Sequence, residues 1–376
     1  MTIQGLMPLP VAVEPKTALR ILQLLAEVSN KIGRLDEKFS HSVVSTQLVN
    51  LLSLSESVQS TRIEGTQITF TDMMEHKDER HPKWEITEVK NYQQALLDGY
   101  ERIRNGYLIS SRLVLDLHAI LMHGARGSSQ ASGQFRKIQN FIGPTKRIED
   151  ASYIPISADK INEFMQNWET FINGHPYDQL LPTEHLSNEC FIINENSHPL
   201  LKAAIIHAQF ESIHPFLDGN GRLGRILIVL YFVQSKLITY PIFFVSEELE
   251  HERLRYYDLL NGVRGENPDW GSWIQFFINA CNRMAVKINH KLDAANKLAM
   301  DGLKQCQTDS EKRTWLYTFS DPHTAVKNVA KHLNIAPSTA RSALNALVDK
   351  ELLYTDKQTK RNKKYTNYEL LRILRG

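Results

Sequence analysis

The sequence predicts a mainly α protein. Apolar residues recur at three- and four-residue steps along most of the chain, and the one clear break in that pattern is short and proline-bearing. With 376 residues, 42% of them apolar and 23% charged, the chain has enough apolar surface for a sizeable core, which excludes wholesale disorder.

The first helix is expected over 17–35, where Leu19, Leu22, Leu25, Ala26, Ser29 and Ile32 share a side. The same spacing or composition predicts helices over 43–59, 85–104, 110–123, 158–172, 199–213, 223–236, 247–264 and 270–300. Between them, 138–156 reads as a short hairpin or extended flap, because Phe141-Ile142-Gly143-Pro144 and Tyr153-Ile154-Pro155 flank a polar middle and the prolines forbid a central strand. Residues 174–198 read as an irregular insertion, with a short helix after Pro182 left open. Past Gly302, helices over 310–319, 324–333 and 338–350, the last capped by Ser338, precede Leu352-Leu353-Tyr354 and Lys364-Tyr365. Three helices and a two-stranded wing form the winged-helix pattern. The expected division is an N-terminal helical region 1–110, a core 111–302 and a winged helix 303–376.

Charge and cysteine content narrow the function classes. The 44 Lys+Arg nearly cancel 42 Asp+Glu, and the net charge of +2 argues against a surface that binds nucleic acid as a whole, so any such site is expected to be local. Residues 341–376 carry nine basic against four acidic side chains, so DNA binding through 338–364, with Ser338, Thr339, Arg341 and Ser342 facing the groove, is weighed equally with a protein-interaction role. Cys190, Cys281 and Cys306 offer neither a disulfide framework nor a thiolate zinc site. The N-terminus lacks a signal-peptide pattern and the apolar run at 226–233 is far shorter than a bilayer span, so a cytoplasmic protein with no membrane partner is expected.

The chemistry concentrates in His214-Pro215-Phe216-Leu217-Asp218-Gly219-Asn220-Gly221-Arg222-Leu223-Gly224-Arg225. Pro215 tends to end the preceding helix at His214, leaving the imidazole at a helix-to-loop mouth. Gly219 and Gly221 around Asn220 suit a backbone anion nest at the start of the next helix. Arg222 and Arg225, three apart, share a side and read as phosphate clamps. Asp218 supplies a hard oxygen for Mg²⁺, and His214, with an ordinary pKa near 6.5, suits a general base. A plain helix-turn-helix corner with a core histidine is the competing reading, and His207, Glu211 and His214 at i, i+4 and i+7 offer a zinc alternative.

This segment resembles the Fic family signature HPFx(D/E)GNGRxxR at every fixed position. The resemblance extends to Gly133-Gln134-Phe135-Arg136, to the flap, to Leu200–Glu211 and to Tyr256-Tyr257 with Trp270, covering roughly residues 40–300. It implies AMP transfer from MgATP to a Ser, Thr or Tyr hydroxyl of a target protein. In that scheme His214 is the base, Asp218 and Asn220 hold Mg²⁺ and phosphates, and Gly219 and Gly221 form the nest. Arg225 meets the γ-phosphate, and Arg222, Leu223, Gly224, Tyr256 and Tyr257 complete the nucleotide site. Gly221, where a phosphorylating branch carries lysine, favours adenylylation. The flap 141–155 would dock the target backbone. Ser60-Thr61-Arg62-Ile63-Glu64-Gly65 resembles the family's inhibitory motif (S/T)xxxE(G/N), with Glu64 pairing Arg225, although Gly65 also reads simply as a helix C′ residue. The insertion at 174–198 and Arg264, where some relatives carry asparagine, depart from the family pattern. A homodimer is left open, and the alternative function is a nucleotide-sensing DNA-binding regulator.

Overall fold

The protein is described from a computed structural model covering residues 2–75, 82–124, 131–145, 147–174, 180–187, 189–356 and 363–375. Its helices are α1 (Pro15–Ser40), α2 (Ser45–Ile63), α3 (Phe70–Glu75), α4 (Trp84–Arg104), α5 (Ser111–Leu121), α6 (Ile161–Asn173), α7 (Pro199–Ile213) and α8 (Asn220–Gln234). They continue with α9 (Ser246–His251), α10 (Arg253–Gly262), α11 (Trp270–Gln305), α12 (Asp309–Tyr317), α13 (Val326–Leu333), α14 (Pro337–Asp349) and α15 (Tyr368–Arg375). The strands β1 (Ile3–Gln4), β2 (Val11–Val13), β3 (Tyr153–Ile154), β4 (Phe191–Ile193), β5 (His323–Ala325) and β6 (Lys364–Thr366) pair as β1–β3 parallel, β2–β4 antiparallel and β5–β6 antiparallel. The fold is mainly α, as expected.

Contacts group the chain into two units, one of Met1–Gly33, Glu56–Gln67 and Pro82–Ala285, the other of Arg34–Ser55, Ile68–His81 and Val286–Gly376. This differs from the division drawn along the sequence, because α1, α2 and α11 each continue unbroken through a unit boundary. In the first unit α7 and α8 form the centre. Every α7 residue from Leu200 to Ile213 is buried, so this helix has no polar face to pattern and its neighbours enclose it. Trp168 and Trp273 donate their indole N–H groups to the α7 carbonyls of Ile206 (2.9 Å) and Ala204 (2.8 Å). Gly99 brings α4 against α8, since a Cβ there would press on Leu230.

Several local expectations change. The flap is held by an antiparallel bridge between Ile142 and Tyr153, and its β3 also pairs with β1, a long-range contact that no local pattern encodes. Lys146 of the flap lies outside the described residues, as do Lys357, Lys360 and Arg361 of the basic wing. The stretch after Pro182 forms turns, and the insertion instead supplies β4. Ser338 does not cap α14: Pro337 opens that helix with Ala336 at the cap position, because a proline has no N–H to satisfy at the first helical residue. The second unit contains α12, α13, α14, β5, β6 and the unexpected α15, whose Leu370, Leu371 and Leu374 are buried. Among the described residues no helix is long and apolar enough to cross a membrane.

Within the second unit Trp315 is fully buried, donates to Ala299 O at 2.9 Å and lies edge-on to Phe319. Gly302 faces that indole, so an added methyl would collide with a rigid ring. Gly302→Ala is expected to destabilise this unit by about 1–3 kcal/mol, read as a lowered midpoint in thermal unfolding.

Candidate active site

The signature loop begins where α7 stops. Pro215 closes the right-handed helix to His214, which takes a left-handed conformation (φ 48°), and its N–H still reaches Phe210 O at 3.0 Å. Phe216 then turns inward, fully buried, and stacks on the His118 ring with centroids 3.7 Å apart. Gly133 N–H donates to His118 Nδ1 at 3.0 Å, which assigns the proton to Nε2, and Nε2 donates to Asp218 O at 3.0 Å. Burial pushes His118 down to about 4, so this neutral tautomer persists. Asn220 grips the loop from the other side, its Oδ1 accepting from Phe216 N and its Nδ2 donating to Phe216 O, both at 2.9 Å. Gly219 sits at φ 81° against Met122 and His118, where a Cβ would have no room.

His214 itself is flanked by two buried arginines. Arg136 donates to the carbonyls of His214 (3.0 Å), Ile138 (3.1 Å) and Ile156 (2.5 Å), tying the loop to the base of the flap. Arg264 donates to Asn261 Oδ1 (2.6 Å) and Glu211 O (3.2 Å) and lies over the Tyr153 ring at 4.1 Å. The His214 Nδ1 is 3.2 Å from Glu211 O; a carbonyl only accepts, so Nδ1 carries the proton and Nε2 keeps its lone pair. Desolvation, then the positive charges of Arg264 and Arg136, push this imidazole down to about 3, against the ordinary value near 6.5 expected from sequence. It is therefore neutral across the physiological range.

The α2 helix ends in a Schellman turn: Gly65 N–H returns to Arg62 O (2.9 Å), Thr66 N–H to Thr61 O (3.2 Å), and Gly65 has φ 97°. Gly65 is the helix C′ residue, and the turn leaves Glu64 as the C-terminal cap, facing α8. There Glu64 Oε1 accepts from Arg225 Nη2 at 2.5 Å, while Arg225 Nε donates to Ser60 Oγ at 2.7 Å and Nη2 to Ser60 O at 3.1 Å. Arg225 is 1% exposed and Glu64 about a third exposed. Burial raises the Glu64 carboxyl, but the charges of Arg225, Arg222 and Arg253 outweigh it and leave the group below its usual range. Gly221 lies directly under this pair: a Cβ there would meet Glu64 Oε1 and come within 3.1 Å of Arg225 Nη1. A carboxylate thus rests on the N-terminal turn of α8, where the first N–H groups have no helical acceptor.

The remaining sequence-nominated residues scatter around this centre. Asp218 is exposed, its Oδ1 bonded to Gly219 N (2.6 Å) and 3.3 Å from Arg222 Nη2. Arg222, expected beside Arg225 as a clamp, is buried and turned instead toward Glu88 of α4 (3.5 Å) and Asp218. The side chain of Asn220, expected on Mg²⁺ and phosphate, is occupied by Phe216, which leaves its backbone N–H for an anion. Leu223 is core, and Gly224 allows α8 to approach Glu211 and His207 of α7. Tyr256 is buried with its hydroxyl 2.9 Å from His207 Nε2, whereas Tyr257 is partly exposed beside Arg253. His207 and His214 thus face different partners, and among the described residues no group of three or more His, Cys, Asp or Glu could hold a metal ion. His118 and Glu88 went unrecognised, since each stands far from the signature in sequence and carries no motif.

Sequence models of the Fic/DOC family match residues 108–232, and those of its N-terminal region match residues 22–101. The protein adenylyltransferase Fic of Drosophila erecta is 24% identical over 220 residues, 58% of this chain and 37% of that protein. Its counterpart from Aedes aegypti is 27% identical over 128 residues, 34% of this chain and 19% of that protein. The chain therefore spans well under half the length of these curated relatives. Among solved structures, a Fic family protein from Desulfovibrio desulfuricans shares the fold with a TM-score of 0.55 and 21% identity, covering 96% of this chain and 98% of that one. Fic-1 from C. elegans gives a TM-score of 0.52 at 18% identity, covering 74% of this chain and 76% of that one.

Glu211 is buried, its Oε1 has no hydrogen-bond partner, and burial pushes its carboxyl up to about 7 from 4.5. Because the folded pKa lies above the unfolded one, the cost of burying this charge is absent below about 4.5 and full above about 7. Glu211→Gln is therefore expected to raise the unfolding midpoint by a few degrees more at pH 8 than at pH 5, as measured by calorimetry at both pH values.

Proposed function

Since the chain belongs to the Fic/DOC family, we propose that it is an autoinhibited protein adenylyltransferase, transferring AMP from MgATP to a Ser, Thr or Tyr hydroxyl of a target protein or of itself. The observation that carries this reading is the Glu64 carboxylate resting on Arg225 and against Gly221. A site that already accommodates one anion over a helix N-terminus suits phosphate oxygens there, and Gly221 provides the close approach they need.

In this reaction the target hydroxyl attacks the α-phosphorus, its proton passes to His214 Nε2, and pyrophosphate leaves. His214 suits the base because Glu211 O fixes its tautomer, and burial with the nearby charges of Arg264 and Arg136 keeps it neutral. The backbone N–H groups of Asn220, Gly221 and Arg222 would cradle the phosphates, and Arg225, once free of Glu64, would bind the γ-phosphate. Asp218, exposed at the loop mouth, would hold Mg²⁺, which offsets phosphate charge when bound. While Glu64 occupies Arg225, the γ-phosphate loses its anchor and in-line geometry at the α-phosphorus is not reached. The flap residues 141–155 would present the target's backbone, and a cytoplasmic location and homodimerisation accompany this proposal as further points to test.

A second reading, a nucleotide-sensing DNA-binding regulator, draws on α14. Its Ser338, Thr339, Arg341 and Ser342 are exposed together, and α13 leads into it through a short turn with Asn334 in the left-handed region. This face makes DNA a partner to test through 338–364 even alongside transferase activity.

The test is incubation of wild type, Glu64→Gly and Glu64→Gly/His214→Ala with MgATP labelled at the α-phosphate. Glu64→Gly is expected to incorporate label about tenfold or more above wild type. Adding His214→Ala should lower that rate by about 10²–10⁴-fold. No label on any variant or target, with MgATP binding retained and salt-sensitive binding to duplex DNA present, would favour the second reading.

A further inference from the structure

The last four carbonyls of a helix have no partner within it, and at the C-terminus of α7 each finds one elsewhere. Phe210 O takes the N–H of His214 at 3.0 Å. Glu211 O accepts from His214 Nδ1 and from Arg264 Nη2, both at 3.2 Å. Ser212 O accepts from Tyr153 Oη of β3 at 2.8 Å, and Ile213 O from Arg136 Nη2 at 3.5 Å. Base and flap therefore share one helix end, and two guanidinium groups stand where the helix dipole favours positive charge. All these residues lie in one unit.

Arg264 joins these contacts. It is buried, and it also donates to Asn261 Oδ1 (2.6 Å) and Ser212 Oγ (3.4 Å). Its guanidinium lies over the Tyr153 ring at 4.1 Å, so one face of the cation meets the flap strand while one edge holds the carbonyl that the base uses. The next residue repeats the link: Gly265 N–H donates to Gly5 O at 3.2 Å, directly after β1, and β1 pairs with β3. A planar guanidinium anchored on three oxygens and a ring has little freedom to turn, so Glu211 O keeps its place whether or not the imidazole is bonded to it.

We infer that Arg264 is a positioning residue for His214: it fixes the carbonyl that orients the imidazole and, through the Tyr153 ring, holds β3 of the flap against the same helix end. A hydroxyl presented by the flap then meets His214 Nε2 at a set place. The inference rests on the proposed adenylyltransferase reading for the reaction the base serves, but the joint itself exists without nucleotide.

The experiment takes full-length Glu64→Gly as parent and adds Arg264→Met, Arg264→Lys, Tyr153→Leu or Arg264→Met with Tyr153→Leu. The ring ¹⁵N shifts of His214, assigned with His214→Ala, report its tautomer without ligand at neutral pH. Hydrogen exchange of the Ile142 and Tyr153 amides, which bond across the flap, reports the flap. MgATP affinity is read by calorimetry, and the transfer rate at saturating MgATP by α-phosphate label on the protein itself and on added lysate proteins. The parent should show the Nδ1–H tautomer. Arg264→Met is expected to mix the two tautomers, to speed exchange of both amides and to lower the transfer rate about tenfold, the size of one charge-assisted hydrogen bond, with MgATP affinity within about twofold of the parent. Arg264→Lys, which keeps the charge and a donor, is expected to retain the tautomer and a rate within about threefold of the parent. Tyr153→Leu should also mix the tautomers, and in the double variant it should add less than about twofold to the loss, because the joint is already broken. A single Nδ1–H tautomer in Arg264→Met would overturn the inference, as would a loss confined to MgATP affinity or fully additive losses in the double variant. A parent that transfers no label would instead refute the adenylyltransferase reading, while the ligand-free tautomer comparison would still decide the role of Arg264. If Arg264→Met does not fold, Tyr153→Leu decides by the same signal, and an unchanged tautomer there overturns the inference.

Discussion

The ion pair between Glu64 and Arg225 is the contact on which the rest of the site depends. Each partner is poorly placed without the other: Arg225 is 1% exposed, so its charge needs a counter-charge, and Glu64 caps the C-terminal end of α2, where the helix dipole disfavours a carboxylate. Both ends are then fixed by backbone. The Schellman turn at Gly65 sets where Glu64 stands, and Gly221 removes the side chain that would keep it off α8. The N-terminal turn of α8 thus meets a carboxylate carried by the chain itself.

Around that pair, rigidity comes from groups that do no chemistry themselves. Asn220 holds both the N–H and the carbonyl of Phe216, Phe216 stacks on His118, and His118 links Gly133 to Asp218. Arg136 spends its donors on backbone carbonyls at the loop and the flap base. The loop between His214 and Gly219 is thereby clamped at several points. Burial, reinforced by the charges of Arg264 and Arg136, keeps His214 neutral, so Arg136 contributes to both position and protonation state.

Much of this was legible in the sequence because it is local. The three- and four-residue apolar steps, Pro215 after His214, Gly65 after Glu64 and Gly219 before α8 each act within one turn of chain. What was not legible depends on distant partners. Arg222 and Arg225 are three apart and were expected to act together, yet Glu88 draws one and Ser60 with Glu64 the other. Asn220 has the chemistry of a phosphate contact but meets Phe216 first. The depressed pKa of His214 follows from burial beside Arg264 and Arg136, which spacing does not encode. The pairing of β1 with β3 likewise joins residues about 150 positions apart, and nothing in either segment alone announces it.

The most direct measurement is a pair of crystal structures, wild type and Glu64→Gly, each with Mg²⁺ and a non-hydrolysable ATP analogue. In the variant, the γ-phosphate should lie on Arg225 and the α-phosphorus should face His214 Nε2 with room for a hydroxyl between them. In wild type, Glu64 should keep its hold on Arg225 and the γ-phosphate should lie elsewhere. A γ-phosphate seated on Arg225 in both, with Glu64 unmoved in wild type, would contradict the central claim that this carboxylate and the nucleotide compete for one guanidinium.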